Sequence, residues 1–187
     1  VIGPEAPLVK GVADVLREAG IAVFGPDAQG AQLEGSKTYS KEFMEANGIP
    51  TARYKSFTNK DEALAYCDEL GAPLVVKADG LAAGKGVIVA ETLEAARAGV
   101  EACFSGEFGS AGNTVVVEEM LTGPECSLLA FVTNGKAFCM APAQDHKRAK
   151  DGDQGLNTGG MGNFSPSPFY TKEVDAFCKK YIYQATV

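Results

Sequence analysis

Apolar and polar positions in the first fifty residues predict an α/β unit. Two short apolar runs, residues 1–2 and 21–24, have the character of strands, and apolar residues between positions 8 and 19 recur at helical spacing before Gly20. This strand–helix–strand order is typical of a Rossmann-like unit with a parallel sheet. Ser36 is expected to cap a further helix that ends near Asn47-Gly48.

From about residue 52 the pattern changes to that of an α+β domain with hairpins. Predicted strands are residues 74–77, 87–90 and 115–117, and predicted helices are residues 62–70, behind a capping box that starts at Thr58, and 93–104, capped by Thr92. A hairpin is predicted around Asn134-Gly135. Residues 141–168 are rich in Gly, Pro, Asn and Asp and have no period, which predicts a long functional loop. Thr171 is expected to cap a last helix.

Composition limits the classes of function. The 187 residues, 45% of them hydrophobic, suffice for one domain, or two partial ones, with a core. The formal net charge of −7 argues against broad binding to nucleic acids or anionic membranes. Five widely spaced cysteines without a CxxC pair favour reduced thiols and a cytoplasmic location. No apolar run approaches the roughly 20 residues of a membrane span. The chain starts without Met and inside an apolar run, so we expect a piece of a larger protein.

A glycine-rich segment with lysines near both ends gives the strongest local signal for chemistry. It runs from Lys77 to Gly86 between two predicted strands, and Gly84 and Gly86 flank Lys85. Glycines let the backbone approach a phosphate closely, and an ammonium can meet phosphate oxygens. A Walker A loop is excluded, because that motif needs Gly where this chain has Asp79 and Ser or Thr where it has Gly86. The alternative is a plain hairpin of small residues.

An acidic junction follows the last strand of this region. Glu118, Glu119, Met120 and Leu121 come at the strand end, where backbone N–H and C=O groups can contact an adenine edge. The carboxylate of Glu125 can accept hydrogen bonds from ribose hydroxyls. Taken alone, this segment is more often a solvated acidic edge.

Three further segments carry candidate ligand-binding groups. Residues 144–148 are polar and end in Arg148, whose planar guanidinium suits phosphate or carboxylate. The only histidine, His146, is more often a structural residue than a general base. Residues 157–162 form a second glycine cluster, for which a flexible turn is the alternative. Residues 3–5 follow a predicted strand, at the position where open α/β sheets bind ligands. The alternative is an ordinary turn.

In this order and combination, the segments resemble the phosphoribosylamine–glycine ligase family of ATP-grasp enzymes. The resemblance is carried by VVKADGLAAGKGVIV at residues 75–89, EE at 118–119, QDHKR at 144–148 and NTGGMG at 157–162, with VIGPEAPL at 1–8, FGP at 24–26 and QLEGSK at 32–37. It spans essentially the whole chain. The resemblance implies a partial ATP-grasp fold, mixed α/β and α+β, preceded by the tail of a Rossmann-like domain. The implied domains are residues 1–51, a small lobe with the glycine flap at 52–118, and the first part of the large lobe at 119–187.

The resemblance also implies residue roles. The residues implied to bind ATP are Lys37, Lys77, Gly84, Lys85, Gly86, Glu118, Glu119, Met120, Leu121, Glu125, Arg148 and Asn157. The residues implied to lie on the substrate side are Gly3, Pro4, Glu5, Asp145, Gly159, Gly160, Met161 and Gly162. Lys85 and Arg148 are implied to act catalytically, and the glycine flap and Arg148 are expected to converge on one triphosphate.

The implied reaction joins glycine to 5-phosphoribosylamine in purine biosynthesis. ATP phosphorylates the glycine carboxylate, the amine attacks the acyl phosphate, and ADP and phosphate are released. The implied Mg²⁺ (or Mn²⁺) ligands would lie beyond residue 187, so none is assigned here, and the chain alone is expected to be inactive. Whether the parent is a stand-alone ligase or fused to other purine-pathway domains stays open.

Other functions remain as alternatives. Another ATP-grasp enzyme, similar to biotin carboxylases or D-alanine ligases, would share the flap but differ in residues 145–162. A regulatory nucleotide-binding module would be expected to lose Lys77 or Arg148, and both are present. A structural interaction domain predicts no clustering of glycine with lysine.

Overall fold

A computed structural model describes residues 1–81, 86–152 and 154–187, and only the backbone of residues 156–157. The chain packs as two compact units. Unit 1 comprises Val1–Ala46 and Thr51–Leu121, and unit 2 comprises Asn47–Pro50 and Thr122–Val187.

The N-terminal part of unit 1 consists of short helices. These are α1 (Glu5–Val9), α2 (Val12–Glu18), α3 (Gln32–Gly35) and α4 (Lys37–Ala46). The single helix predicted for residues 8–19 is therefore wrong. Gly11, with φ of 81°, adopts a left-handed conformation between α1 and α2, and this conformation cannot continue a right-handed helix.

The two strands predicted near the N-terminus are also wrong. Residues 1–2 and 21–24 have no strand assignment, although the Ile2 amide donates a hydrogen bond to the Phe24 carbonyl at 3.4 Å. A strand requires a ladder of such bonds to a neighbour. Apolar character alone did not provide that neighbour among the described residues.

The rest of unit 1 is an antiparallel sheet with two helices. The strands are β1 (Tyr54–Phe57), β2 (Leu74–Ala78), β3 (Val87–Ala90) and β4 (Val115–Glu119), in the order β1-β4-β2-β3. The helices are α5 (Lys60–Leu70) and α6 (Leu93–Phe104), and a 3-10 turn spans Gly109–Asn113. The predicted strands and helices of this region are confirmed to within a few residues.

Side-chain caps fix where these helices begin. Ser36 Oγ accepts from the Tyr39 amide at 3.1 Å, and Thr92 Oγ1 accepts from the Ala95 amide at 3.2 Å, as predicted. The capping box predicted at Thr58 is displaced by one residue. Asn59 is the cap, because its Oδ1 accepts from the amides of residues 61 and 62.

The core lies between one face of the sheet and the helices α5 and α6. Leu74, Val76 and Ala78 of β2 alternate inward, as expected for period-2 burial. The helices contribute small and medium-sized side chains to this core: Ala63, Tyr66, Cys67, Ala96, Val100 and Cys103. The opposite face of the sheet does not belong to this core.

Unit 2 is built of short hairpins and a terminal helix. Its paired strands are β5 (Ala130–Thr133) with β6 (Lys136–Cys139), β7 (Gln144–Asp145) with β10 (Asn163–Phe164), and β8 (Arg148–Lys150) with β9 (Gln154–Asn157). The hairpin at Asn134-Gly135 is confirmed, with φ of 49° and 68° at the two residues. The long loop predicted for residues 141–168 is wrong, because that stretch contains β7 to β10. Thr171 caps α7 (Lys172–Cys178), which continues as a π turn (Lys179–Tyr183) and α8 (Gln184–Thr186).

Candidate functional site

The face of the sheet opposite the core carries the candidate chemistry of unit 1. Residues paired across antiparallel strands share a face, so the register identifies its members. They are Tyr54, Ser56, Val75, Lys77, Val87, Val89, Val116 and Glu118, and we refer to them as the open face. The charged members are Lys77 of β2 and Glu118, which is only 5% exposed, and a buried charge on a sheet face indicates a site rather than a core.

The open face is covered at one end and accessible at the other. Helix α4 lies over β1, where Thr38 Oγ1 donates to Ser56 Oγ at 3.1 Å. On β3, Val87 and Val89 are 43% and 51% exposed. Such a surface, with exposed valines beside charged side chains, can bind a ligand that combines a flat apolar group with a charged group.

An ion cluster lies within the open face. The Glu118 carboxylate is bound between two ammonium groups, Lys41 at 2.6 Å and Lys77 at its other oxygen. The side chains of Glu118 and Lys41 are 7% and 10% exposed, whereas that of Lys77 is 25% exposed. Two lysines and one glutamate give the cluster a formal charge of +1, and Lys77 is its accessible end.

Lys37 adds a second cation close to Lys77. It is the first residue of α4, and its ammonium donates to the Gly80 carbonyl at 3.0 Å and to the Asp79 carbonyl at 3.4 Å. Burial lowers the pKa of Lys37; the charge of Asp79 opposes this shift and that of Lys77 adds to it. The two predicted phosphate ligands, Lys37 and Lys77, therefore lie in one electrostatic neighbourhood.

Asp79 fixes the position of Lys37. Its carboxylate accepts from the Thr38 amide at 2.5 Å and from Ser36 Oγ at 3.0 Å, and its carbonyl accepts from the Lys37 amide at 3.1 Å. From the sequence, Asp79 served only to exclude a Walker A loop, and this role was not predicted. A side chain that caps a helix forty positions away leaves no local signal; only its place at the head of the glycine loop could have drawn attention to it.

The glycine loop is described at both ends. The Gly86 carbonyl accepts from the Ala78 amide at 2.8 Å and extends the pairing of β2 with β3. Asp79 and Gly80 line a cavity of about 310 Å³ together with Val9, Leu81 and Thr114. Gly84 and Lys85, both predicted to bind ATP, lie outside the described residues.

The predicted adenine-contacting segment is fixed at its start. Glu119 pairs with the backbone of Arg53 in both directions, through its amide at 3.0 Å and its Oε1 at 2.9 Å. Met120 is half-buried and Leu121 is 69% exposed. Of this predicted set, Glu118 alone points its carboxylate into the ion cluster.

In unit 2, Lys147 connects two predicted residues. Its ammonium lies 3.2 Å from Glu125 and 3.0 Å from Asp145. The hydrogen bond from Lys147 lowers the pKa of Asp145 below its usual value, and the same contact raises the pKa of Lys147. No role was predicted for Lys147 from the sequence.

Arg148 and Asn157 are paired through their backbones in the β8–β9 ladder, so the structure places these two predicted residues at opposite positions of one hairpin. The Arg148 guanidinium is exposed and donates to the Gly155 carbonyl at 3.0 Å. The Asn157 side chain lies outside the described part of the chain.

The second glycine cluster forms a turn against His146. Gly159, Gly160 and Gly162 all have positive φ, a backbone conformation that residues other than glycine rarely adopt. The Gly162 carbonyl accepts from the His146 amide at 3.0 Å, and the His146 ring packs 5.6 Å from the ring of Phe164. His146 thus has a packing role, and Met161 is 80% exposed at the tip of the turn.

The predicted N-terminal substrate residues lie at the start of α1. Pro4 occupies the N-cap position and Glu5 begins the helix. Glu5 lines a cavity of about 200 Å³ with Leu8, Pro26 and Glu34. Gly3 has open space around its Cα.

Two further properties concern residues 1–81, 86–152 and 154–187. Within these ranges no group of three or more His, Cys, Asp or Glu side chains is arranged to hold a metal ion. None of the helices there combines the length and apolar character needed to cross a bilayer.

Family models and curated relatives of this chain all point to one enzyme family. Residues 35–187 match the family model described as phosphoribosylglycinamide synthetase, ATP-grasp (A) domain, and residues 1–34 match the N domain of the same synthetase. Phosphoribosylamine–glycine ligase of Escherichia coli O6:H1 is 56% identical over 93% of this chain and 41% of its own length. The enzyme of that name from Xylella fastidiosa is 54% identical over the whole chain and 44% of its own length. The chain thus spans about two fifths of the length of these curated relatives.

Solved structures show the same relation. Phosphoribosylamine–glycine ligase from Thermotoga maritima has a TM-score of 0.81 and 36% identity, covering 88% of this chain and 42% of that one. D-Alanyl-alanine synthetase A from Vibrio cholerae has a TM-score of 0.72 at 19% identity, covering 94% and 54% of the two chains. The biotin carboxylase domain of Hydrogenobacter thermophilus 2-oxoglutarate carboxylase, described in complex with MgADP, has a TM-score of 0.71 at 21% identity, covering 92% and 38%. The last two share the fold alone, and together these neighbours confirm a partial ATP-grasp fold.

Proposed function

We propose, from the premise that this chain belongs to the phosphoribosylglycinamide synthetase family, that the full-length protein is an ATP-dependent ligase. It joins glycine to 5-phosphoribosylamine in purine biosynthesis and releases ADP and phosphate. Support comes from relatives of 53–56% identity that all carry the name phosphoribosylamine–glycine ligase. We place the protein in the cytoplasm, in keeping with its five free thiols.

The observation that carries the proposal is the cationic open face. Lys37 and Lys77 lie near each other, the cluster around Glu118 has a surplus positive charge, and exposed Val87 and Val89 lie beside it. A nucleotide combines a flat apolar base with a polyanion, so it matches both parts of this surface.

The further ATP contacts follow from the family pattern. In this proposal the flap residues Gly84, Lys85 and Gly86 cover the phosphates, and Arg148 and Asn157 contact the phosphate end of the nucleotide. The segment from Glu118 to Leu121 holds the base through its backbone, and Glu125 holds the ribose. The proposed domain boundaries remain 1–51, 52–118 and 119–187.

The substrate side is assigned to a separate set of residues. They are Gly3, Pro4, Glu5, Asp145, Gly159, Gly160, Met161 and Gly162. The glycines of the second cluster have no side chains, and their positive φ values favour glycine at these positions, so a small substrate such as glycine can approach the backbone closely.

The chemistry requires an activated carboxylate. A free carboxylate is a poor electrophile, so ATP supplies a phosphoryl group to glycine, and the amine of phosphoribosylamine displaces phosphate from the resulting acyl phosphate. Phosphoryl transfer asks the protein mainly for positioning and charge neutralisation, which Lys37, Lys77, Lys85 and Arg148 provide. In this proposal the divalent cation is held, as the family pattern implies, by residues outside this chain.

The alternative is a different ATP-grasp ligase or carboxylase, and the fold neighbours include both kinds. Their 19–21% identity does not extend beyond the fold, whereas the ligases named for glycine exceed 50% identity. Substrate requirement distinguishes the two possibilities.

The test is ADP release by the full-length protein. We expect release to require both glycine and phosphoribosylamine, and to fail when glycine is replaced by alanine or bicarbonate. A companion variant, Lys77→Met, tests the cationic face: it should retain its fold by circular dichroism and lose most of its ADP-releasing activity. Release of ADP at the full rate without glycine would contradict the substrate assignment.

A further inference from the structure

Lys41 has no place in the proposed ATP contacts, yet its charge is buried beside them. The ammonium lies 2.6 Å from Glu118 Oε2 and donates to Thr51 Oγ1 at 2.8 Å and to the Ala52 carbonyl at 3.3 Å. Two of its three N–H groups are therefore used in hydrogen bonds, and the contact to Glu118 is an ion pair. Protein oxygens surround the Lys41 ammonium, and its side chain is only 10% exposed to a ligand.

Lys77 differs from Lys41 in exposure and in contacts. Its ammonium meets the other oxygen of Glu118, and its side chain is 25% exposed on the open face, against 10% for Lys41. A contact to one carboxylate oxygen does not use all three donors of an ammonium. Lys77 is thus the member of the cluster that a ligand can reach.

The formal charges show what Lys41 contributes. With Lys41 present, the two ammonium groups and one carboxylate sum to +1. Without it, Lys77 and Glu118 form a neutral pair, and the attraction of Lys77 for an anion is offset by the carboxylate beside it. In a partly buried site such charges are weakly screened, so the difference is felt by a ligand.

Asp79 does not take over the role of counter-charge to Lys77. Its carboxylate is occupied by the Thr38 amide and Ser36 Oγ at the start of α4. Its carbonyl accepts from Lys37 rather than from Lys77. Glu118 is therefore the carboxylate whose charge decides how positive Lys77 is.

We propose that Lys41 is a positioning residue that occupies one oxygen of Glu118 and so leaves a surplus positive charge on Lys77 for an anionic ligand. The inference rests on the proposed function, because the anion is taken to be the phosphate chain of the nucleotide. It assigns Lys41 a role in affinity without contact to the nucleotide.

The first measurement is the dissociation constant of ATP by calorimetry on the full-length protein. Lys41→Met keeps the length of the side chain and removes the charge, and we expect ATP to bind at least about tenfold more weakly. The KM for ATP should rise more than kcat falls. The matched control is Lys55→Met, which removes an exposed lysine paired with Glu69 at 3.4 Å and should leave ATP affinity within twofold of wild type. Lys41→Gln serves as a second variant if Lys41→Met does not fold.

Rescue separates a charge effect from a structural one. The double variant Lys41→Met/Glu118→Gln removes one charge of each sign from the original cluster and restores the formal +1 at Lys77. We expect its ATP affinity to return to within about threefold of wild type, since the lost attraction depends on the net charge. A folded Lys41→Met protein with wild-type ATP affinity, or a folded double variant without recovery, would overturn the inference.

A failure of the proposed function and a failure of the role of Lys41 give different results. If wild-type protein does not bind ATP, the proposed function itself fails. If wild-type protein binds ATP and releases ADP only with glycine, while Lys41→Met binds equally well, the role of Lys41 alone is refuted.

Discussion

Unit 1 buries side chains of two kinds: apolar side chains that pack in the core, and ionised side chains that are paired with opposite charges. Glu118 belongs to the second, because a nearly inaccessible carboxylate is tolerated only beside cations such as Lys41 and Lys77. Such a cluster is weak evidence for stability, since desolvation offsets much of the attraction. We relate the cluster instead to the surplus positive charge that it leaves on the open face.

The cysteines of the core belong to the first group. Burial raises the pKa of Cys67 to about 11 and also raises the pKa of Cys103, whereas Cys139 is exposed in unit 2. Because the thiolate is the reactive form, we expect iodoacetamide at pH 8 to alkylate Cys139 and to spare Cys67 and Cys103. Mass spectrometry of the native full-length protein checks this.

The control for this prediction is the same protein in concentrated urea. Unfolding removes the burial that raises the two pKa values, so Cys67 and Cys103 should then react as fast as Cys139. Equal labelling of all three in the native protein would show that the core described for unit 1 is not formed.

At the residue scale, the glycine loop indicated Lys77 and the family resemblance indicated Lys37. Lys37 and Lys77 were predicted as cations, and the structure places them near each other. Lys41 and Asp79 were missed, because each acts through a contact between residues far apart in the chain. Such contacts depend on how α4 packs against the sheet, and a hydrophobic period does not reveal that packing.

At the scale of elements, helix α4 links the N-terminal helices of unit 1 to the sheet. Its first turn carries Lys37, and Asp79 from the end of β2 holds that turn through Ser36 and Thr38. A carboxylate at a helix N-terminus also interacts favourably with the helix dipole. Asp79 is therefore expected to stabilise the element and to orient the Lys37 ammonium.

The corresponding prediction concerns Asp79→Ala. Loss of the cap should lower the free energy of unfolding by about 1–2 kcal/mol, measured by urea denaturation of the full-length protein. Asp79→Asn keeps an acceptor oxygen for the Thr38 amide and should lose distinctly less. Equal stability of Asp79→Ala and wild type would show that the contact at α4 contributes nothing.

Prediction of the elements succeeded where two signals agreed. Period and cap together located α5, α6 and α7, and the Asn134-Gly135 turn located its hairpin. Apolar character alone failed at residues 1–2 and 21–24, because a strand also needs a partner. The short strands β7 to β10 were missed because their sequences are polar and rich in glycine and show no apolar alternation. Only backbone hydrogen bonds define their pairing.

At the scale of the molecule, the asymmetry of the sheet organises unit 1. One face packs on α5 and α6 and forms the core, while α4 covers only part of the other face. The remainder, with Lys77, Val87 and Val89, stays accessible. Solved structures of 19% and 21% identity share this fold.

The central claim, that the open face binds the nucleotide, is tested most directly by lysine footprinting. The full-length protein is acetylated briefly with and without ATP, and the modification of each lysine is quantified by mass spectrometry. We predict that ATP protects Lys77 and Lys37, whereas exposed Lys55 is modified equally in both samples. Modification of Lys77 that does not change at saturating ATP would contradict the account.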